Sequence, residues 1–181
     1  MATTDGAASS RIMLREATIM DAERTLAEID QEASKALKRF AESRVTLDDQ
    51  RAYLNRMWNS PTDRLYLIEF APPHANPLGS IGLHEIDWAN GVARVGMMIF
   101  RPGDRGLGYG AEAAGHLHRI AFDELGLHRL HANVIASNAK NLLRFIGLGY
   151  RFEGIMRERY LRDGVRHDMA LLSLLSREWR V

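Results

Sequence analysis

The chain has 181 residues, a formal net charge of +1 and a hydrophobic fraction of 46%, which suits one compact domain and excludes nucleic-acid binding driven by charge alone. The absence of cysteine excludes disulfide bonds, thiolate metal sites and a cysteine nucleophile. No apolar run approaches the roughly 18 residues that a membrane span needs, and residues 1–10 lack the apolar core of a signal peptide. We therefore expect a disordered tail over residues 1–10 and a cytoplasmic domain over residues 11–181, with neither membrane nor nucleic-acid partners.

The first hundred residues show helical and strand patterns that end in a run of strands. Asp21 is suited to cap a helix, and Thr46 with Asp49 three residues later fits a capping box. Asn90-Gly91 is a hairpin signal. The predicted elements are a strand over 11–16, a helix from 21 to about 33, a helix from 46 to before Pro61, and strands over 65–70, 78–87 and 92–100.

The second part of the chain begins with a strongly amphipathic helical pattern. Residues 129–135 alternate between apolar and polar side chains, as a strand does. The predicted elements are a helix over 109–125, a strand over 129–135, a helix over 138–147, and strands over 150–160 and 165–175 that turn at Asp163-Gly164. This order predicts an α/β domain with a mixed sheet.

Three glycines, at 106, 108 and 110, fall between the strand over 92–100 and the helix over 109–125. Glycines allow positive φ and a close approach of the backbone to a ligand. The free N–H groups and the dipole of the helix start favour an anion at this place. Arg101 and Arg105 add positive charge, and residues 101–181 carry a net +4 against −3 for residues 1–100. This asymmetry suits an anionic ligand, although chance scatter of charge gives the same count.

The spacing of the loop partly matches the dinucleotide fingerprint through Gly106, Gly108 and Ala111. A dinucleotide site also needs a carboxylate about 20 residues further on, at the end of the next strand. That strand ends in residues 135–137, Ile-Ala-Ser, without an acid. A Walker loop is excluded because no Gly-Lys-Ser/Thr follows. A nucleotide-dependent oxidoreductase is therefore disfavoured.

In another register, Arg105-x-x-Gly108-x-Gly110 resembles the pyrophosphate loop of the GCN5-related N-acetyltransferases (GNAT). Asn138, Gly149-Tyr150 and Glu153-Gly154 resemble the run that follows this loop in the family, and residues 163–168 resemble its ribosomal-protein and polyamine acetyltransferase branch. The resemblance covers about residues 11–178. It implies a single-domain GNAT fold with a mixed, mostly antiparallel sheet of about seven strands and about four flanking helices.

The resemblance also implies an activity and its partners. Acetyl-CoA would be the co-substrate and a primary amine the acceptor: a protein N-terminus, a polyamine, an amino acid or a small amine. A homodimer is the expected assembly. The residues expected at the cofactor are the strand end Met98, Ile99 and Phe100, the loop Arg105, Gly106, Leu107, Gly108, Tyr109, Gly110 and Ala111, and then Asn138 and Phe145.

Catalysis needs a group that takes the proton of the amine. His84, Glu85, Asp87 and Glu69 lie on strands near the expected site. Strand alternation predicts Glu85 and Asp87 on one face and His84 on the other. The polyamine branch has a carboxylate at the place of Glu85, so the resemblance favours Glu85 as the base.

The chain departs from the family pattern at two places. Phe145 stands where the family commonly has the tyrosine that protonates the departing thiolate, and Tyr160 or Tyr150 is the expected substitute. Arg94 stands where relatives often have a glutamate. Phe145 keeps open an alternative, a non-catalytic acyl-CoA-binding sensor or regulatory module. No metal site is expected, since His116 and His118 lie only two residues apart on a helix.

Overall fold

A computed structural model describes residues 10–29, 45–73 and 76–179. The first half contains strand β1 (Ile12–Glu16), helix α1 (Ala22–Glu28), helix α2 (Leu47–Trp58) and strands β2 (Arg64–Phe70), β3 (Pro77–Asp87) and β4 (Val92–Ile99). The second half contains helix α3 (Tyr109–Arg119), strand β5 (Arg129–Ile135), helix α4 (Ala139–Gly147), strands β6 (Arg151–Arg162) and β7 (Val165–Leu175), and the short helix α5 (Ser176–Trp179). A π-helical turn, Ile120–Glu124, continues α3. The predicted single α/β domain is confirmed.

The seven strands form one sheet in the order β1-β2-β3-β4-β5-β7-β6. Every neighbouring pair is antiparallel except β4 and β5, which are parallel. Parallel neighbours need a crossover connection, and α3 with its loop supplies it. The prediction of a mixed, mostly antiparallel sheet of seven strands is therefore confirmed, and the described residues form five α-helices.

Helices cover both faces of the sheet. One face, which we call the α3 face, carries the larger core cluster, to which Leu83, Leu117 and Leu172 belong. The opposite face, called the α2 face, carries a smaller cluster in which Leu54 of α2 packs with Leu65 and Leu67 of β2. The alternation of side chains along each strand therefore decides which helix layer a residue meets.

The first helical region differs from its prediction. The helix was expected to reach about residue 33, but it ends at Glu28 because Ile29 takes an extended conformation (φ −67°, ψ 121°) and is buried. Residues 30–33 of that expected helix lie outside the described residues, as does the expected tail except for Ser10. The capping box of Thr46 and Asp49 is formed at the start of α2.

The predicted alternation along the end of β3 is wrong. The register with β4 shifts between His84 and Asp87, and Glu85 takes φ +54°. This β-bulge inserts one residue, so that Leu83 and Ile86, three positions apart, both lie in the core of the α3 face. Glu85 therefore does not follow the regular alternation, which had predicted it on the face opposite to that of His84.

Candidate functional site

The glycine loop ends directly at the first turn of α3. Gly106 and Gly108 have φ of +83° and +89°, a conformation that side chains with a Cβ rarely adopt. Gly108 is the N-cap of α3, and its carbonyl oxygen accepts bonds from the N–H groups of Ala111 (3.0 Å) and Glu112 (3.1 Å). A helix start of this kind offers backbone N–H groups and positive potential to an anion.

The two arginines that the sequence singled out beside the loop serve the loop itself. Arg105 donates to the carbonyl oxygens of Ile99 (3.2 Å) and Phe100 (3.1 Å), and so joins the loop to the end of β4. Arg101 pairs with Asp104 and with Glu28 of α1. Both side chains therefore stabilise the path of the chain around the loop.

Two other arginines flank the helix start, and sequence reasoning missed both. The guanidinium of Arg11 pairs with Glu112 (3.0 Å) and donates to the carbonyl of Leu107, and its Nη2 lies 3.1 Å from where a Cβ on Gly108 would stand. The Nη2 of Arg144 lies 2.8 Å from the corresponding point on Gly110. No local motif signals either residue, because the fold brings β1 and α4 to this place.

Arg144 differs from Arg11 in its partners. Within the described ranges, no residue forms a hydrogen bond or an ion pair with its guanidinium, and burial lowers the pKa of Arg144 below its usual value. A half-buried cation without a counter-charge is costly unless a ligand supplies one. The start of α3 is therefore cationic through a side chain that reaches it from α4.

The strands β4 and β5 diverge next to this helix start. They pair only at Val92–Arg129, Ala93–Leu130 and Arg94–His131. Beyond that point β4 stays paired with β3 as far as Ile99, and β5 stays paired with β7 as far as Ile135. A gap thus opens between the two strand ends. Ile99 and Phe100 bury their side chains, so these two residues can offer only their backbone to a ligand in the gap.

Helix α4 lies along the other side of the gap. Asn138 caps it by accepting a bond from the N–H of Asn141 (3.1 Å). Phe145 is 7% exposed and packs edge-to-face on Tyr150, with 5.0 Å between ring centroids. The hydroxyl of Tyr150 lies 3.1 Å from His118 Nε2, and burial raises the pKa of Tyr150 and lowers that of His118 to about 4. Tyr150 is therefore a partnered core residue.

Tyr160 lies in a different setting from Tyr150. It pairs with His167 in the β6–β7 hairpin, beyond the last ladder pair of β5 with β7, Ile135–Met169. The hairpin therefore extends past the sheet at the end where the gap opens, and it carries Tyr160 with it. The side chain of Tyr160 is partly exposed.

The expected carboxylates at the ends of the strands make ion pairs. Glu85 pairs with Arg94 (3.0 Å), which holds the pKa of Glu85 below its usual value. Glu69 is 3% exposed and pairs with Arg15 and Arg24, so its charge is compensated within a buried network. The ion pair with Arg94 weakens Glu85 as a base.

His84 has a carboxylate partner of its own. Its Nδ1 lies 2.9 Å from Asp63 Oδ1, and the two side chains are 14% and 17% exposed. Burial is the main cause that lowers the pKa of His84, and Asp63 opposes it. Sequence reasoning named His84 but missed Asp63, which lies 21 residues earlier, before β2.

A cavity of about 410 Å³ lies between the helices of the α2 face and the sheet. Ser80 and Met98, which oppose each other on β3 and β4, line it together with Tyr53 of α2. Its other described lining residues are Thr25, Ile29, Val45, Asp49, Gln50, Ala52, Leu54, Arg56, Leu65, Leu67 and Phe100. Trp88 is not among these residues, and its indole N–H donates to the carbonyl of Pro61.

Residues 10–29, 45–73 and 76–179 contain neither a metal-binding cluster nor a membrane-spanning helix. No group of three His, Asp or Glu side chains is arranged to hold a metal ion. No helix in these ranges is long and apolar enough to cross a membrane.

Residues 11–143 match the family model described as an acetyltransferase (GNAT) domain. The chain belongs to the GNAT family. It is 31% identical over 141 residues to YdaF of Bacillus subtilis (strain 168), which is provisionally named a ribosomal N-acetyltransferase, and the match covers 77% of this chain and 76% of that one. As a GNAT protein it is an N-acetyltransferase that uses acetyl-CoA as co-substrate.

Solved GNAT structures have the same fold. The crystal structure of spermidine N-acetyltransferase from Vibrio cholerae in complex with CoA and spermine superposes with a TM-score of 0.80 at 20% identity, over 94% of this chain and 98% of that one. A dodecameric structure of the same enzyme gives a TM-score of 0.77 at 20% identity, over 94% and 97% of the two chains. At this identity the likeness concerns the fold.

Proposed function

We propose that this enzyme acetylates the α-amino group of a peptide or protein, or a comparable monoamine with an apolar body. The observation that carries the proposal is the cavity on the α2 face, which lies beside β4 and is lined mainly by apolar side chains. Asp49 is the acid in its described lining, and that carboxylate accepts the N–H and hydroxyl bonds of Thr46. A polyamine has further ammonium groups, and each of these is costly to bury without a carboxylate.

The relative with the ribosomal name supports this acceptor class. An α-amino group also has an ordinary pKa of about 7.7–8.0, well below the value of about 10.4 for a lysine-type amine. A base of modest strength therefore deprotonates it more readily at neutral pH. Amino acids, small amines and polyamines are the other acceptors that the family pattern allows.

The donor would be held on the α3 face. Backbone N–H groups from Gly106 to Ala111 would bind the pyrophosphate, with added charge from Arg11 and Arg144, which lie against Gly108 and Gly110. The pantetheine arm would run in the gap between β4 and β5, along the backbone of residues 98–100, with Asn138 and the wall near Phe145 on its other side. Arg105 would act indirectly, by holding the loop to β4.

The chemistry would take place where the gap begins. The amine lone pair attacks the thioester carbonyl carbon, and the unpaired backbone of β4 is suited to stabilise the oxyanion. The proton acceptor would stand at the bulged end of β3, where Glu85 and His84 are neighbours. Tyr160 would protonate the departing thiolate, although a thiol with a pKa of about 8.5 can leave without full protonation.

We also propose that the protein acts in the cytoplasm and as a homodimer. The absence of cysteine fits a reducing compartment. Apolar side chains that are about half exposed occur on α4 and the β6–β7 hairpin, where a second copy could cover them. These residues are Leu143, Ile146, Phe152, Ile155 and Val165.

The test is release of free CoA thiol from acetyl-CoA across a panel of amines. The panel contains short peptides with free α-amino groups, the same peptides with blocked N-termini, free amino acids, small alkylamines and spermidine. We expect turnover with the free peptides and none with the blocked ones. A preference for spermidine would contradict the acceptor class. Binding of acetyl-CoA without turnover of any amine would instead support the sensor alternative.

A further inference from the structure

We infer that His84, oriented by Asp63, is the general base that takes the proton of the acceptor amine, and that Asp63 is its positioning residue. The inference rests on the proposed function and adds the identity of its base. Glu85 is the base that the family resemblance favours. Its carboxylate is ion-paired with Arg94, whereas Nε2 of His84 forms no hydrogen bond among the described residues.

The position of the imidazole ring carries the argument. His84 opposes Arg94 on β4, and Arg94 in turn opposes His131 in the last ladder pair before the gap. His84 therefore stands at the level where β4 and β5 begin to diverge. On the same face of the sheet, the next opposing pair is Gly82 with Gly96, and the one after that is Ser80 with Met98, which lines the cavity.

The ring lies over the two glycines. Its Nε2 is 3.0 Å from where a Cβ on Gly96 would stand and 3.2 Å from the corresponding point on Gly82. A side chain at either position would meet the ring, so the missing Cβ atoms make room for it. Nε2 thus lies over the part of β4 between the start of the gap and the cavity, which is where an amine from the α2 face would meet a thioester.

Asp63 fixes both the orientation and the tautomer of the ring. An ionised carboxylate can only accept a hydrogen bond, so the 2.9 Å contact places the proton of the neutral ring on Nδ1. Nε2 then carries a free lone pair. Among the described residues, no hydrogen bond to this nitrogen is formed, which leaves it available to a substrate.

The electrostatic surroundings favour a neutral ring near pH 7. Burial is the largest effect and lowers the pKa of His84; Arg94 lowers it as well, while Asp63 and Glu85 raise it. The other ionisable groups nearby are Arg64 on β2, which donates to the carbonyl of Asp63, Tyr53 on α2 with Arg56 over its ring, and His131 on β5 beyond Arg94. A neutral histidine can accept a proton, which a protonated one cannot.

The proposed reaction begins with proton transfer to the imidazole. Nε2 takes one proton from the ammonium form of the acceptor, and the freed nitrogen lone pair forms the C–N bond to the thioester carbonyl. Collapse of the tetrahedral intermediate re-forms the carbonyl and breaks the C–S bond. The thiolate takes a proton from Tyr160, whose phenolate regains the remaining excess proton from the nitrogen, and the imidazolium later releases its proton to water. The products are the amide, CoA thiol and one proton.

The experiment is the pH dependence of kcat/KM for the whole protein with a peptide α-amine and with an alkylamine. In the pH profile of kcat/KM, the ionisation of the acceptor should give one limb, which moves with the pKa of the amine. Protonation of His84 should give a second limb on the acid side, below the ordinary histidine pKa of about 6.5. This acid limb should lie at the same pH with both amines. Replacing His84 by Gln should remove that limb and lower kcat/KM by about 100-fold, at the lower end of the usual effect of a general base.

The variant Asp63→Asn tests whether Asp63 acts on the pKa of His84, an effect that a residue with only a structural role would not have. Asp63 raises the pKa of His84, so its loss should shift the acid limb to lower pH and also lower the rate. NMR titration of the His84 ring, assigned by its disappearance in His84→Gln, should show the same shift without any turnover. His128→Gln is the matched control, an exposed histidine at the opposite end of β5, and it should behave as the wild type.

The outcomes separate the two proposals. If the wild type turns over amines but His84→Gln, folded by circular dichroism and binding acetyl-CoA normally, keeps the acid limb or loses less than about 3-fold in rate, His84 is not the base. If the limb disappears in Glu85→Gln instead, the base is Glu85. If the wild type turns over no amine at all, the proposed function itself is overturned, and the base with it.

Discussion

The two faces of the sheet would bind their ligands by different means. On the α3 face the start of a helix presents backbone groups, which the positive φ of Gly106 and Gly108 places there. On the α2 face a cavity and an Asp63–His84 pair present side chains that come from separate elements. A backbone site tolerates few residue types at its turns, and so it leaves a local motif. A side-chain site is assembled by topology and leaves none.

The largest expected effect concerns the backbone site. Replacing Gly108 by Val places a branched side chain at φ +89° and a Cβ 3.1 Å from Arg11 Nη2. Strain of this kind costs about 1–3 kcal/mol, and the loop would relax into a conformation that no longer directs its N–H groups to one point. We expect the Kd for acetyl-CoA to rise by on the order of 100-fold, measured by calorimetry.

Gly103→Ala is the matched control for that change. Gly103 lies in the turn just before the loop, and a Cβ there meets no atom within 4 Å. This variant should bind acetyl-CoA as the wild type does. Equal affinities for Gly108→Val and Gly103→Ala would remove the loop from the donor site, and the contrast between the two faces would lose its basis.

This contrast explains how far the sequence could be interpreted. The glycine loop at the start of a helix and the capping box of Thr46 and Asp49 were both predicted, because each depends on local backbone geometry and on a contiguous pattern. The bulge at Glu85 was missed, since strict alternation was assumed where the strand inserts a residue.

The missed site residues have a common cause. Arg11, just before β1, and Arg144, on α4, reach the start of α3 from about 100 residues before it and about 30 residues after it in the chain. Asp63 meets His84 only because β2 and β3 are paired. Single-sequence reasoning has no access to such contacts, whose partners are far apart in the chain.

Arg144 is an exception to this contrast, because it is a side chain at the helix start of the α3 face, where the other binding groups are backbone N–H groups. Its guanidinium lies against Gly110 and lacks a counter-charge among the described residues. A charge-assisted hydrogen bond is worth about 1.5–3 kcal/mol. Replacing Arg144 by Leu should therefore raise the Kd for acetyl-CoA by about 10-fold or more, and should make that affinity less sensitive to salt.

The control for this change is Arg119→Leu. Arg119 lies at the other end of α3 with a side chain that is 60% exposed. Loss of this charge alters the net charge of the protein equally but leaves the helix start intact. If both variants weaken binding to the same extent, the effect of Arg144 is a general one of net charge, and the donor site would be held by backbone groups alone.

The smallest expected effect tests whether the two faces act independently. In Gly96→Ala the new Cβ would stand 3.0 Å from His84 Nε2, so the imidazole must move by a few tenths of an ångström. A displacement of 1 Å can cost about 100-fold in rate, so we expect kcat to fall by roughly 5-fold while the Kd for acetyl-CoA stays unchanged. If affinity for acetyl-CoA falls instead, Gly96 belongs to the donor side of the gap.

The double variant Gly96→Ala/His84→Gln decides how that change acts. If the methyl group slows the reaction by displacing the imidazole, it should cost nothing further once the imidazole is gone, and the two changes should be strongly non-additive. If Gly96→Ala slows the His84→Gln enzyme by the same factor as the wild type, its effect passes through the backbone of β4, which both ligands share. The acceptor side would then depend on backbone geometry as the donor side does, and the distinction between the two faces would hold for binding but not for catalysis.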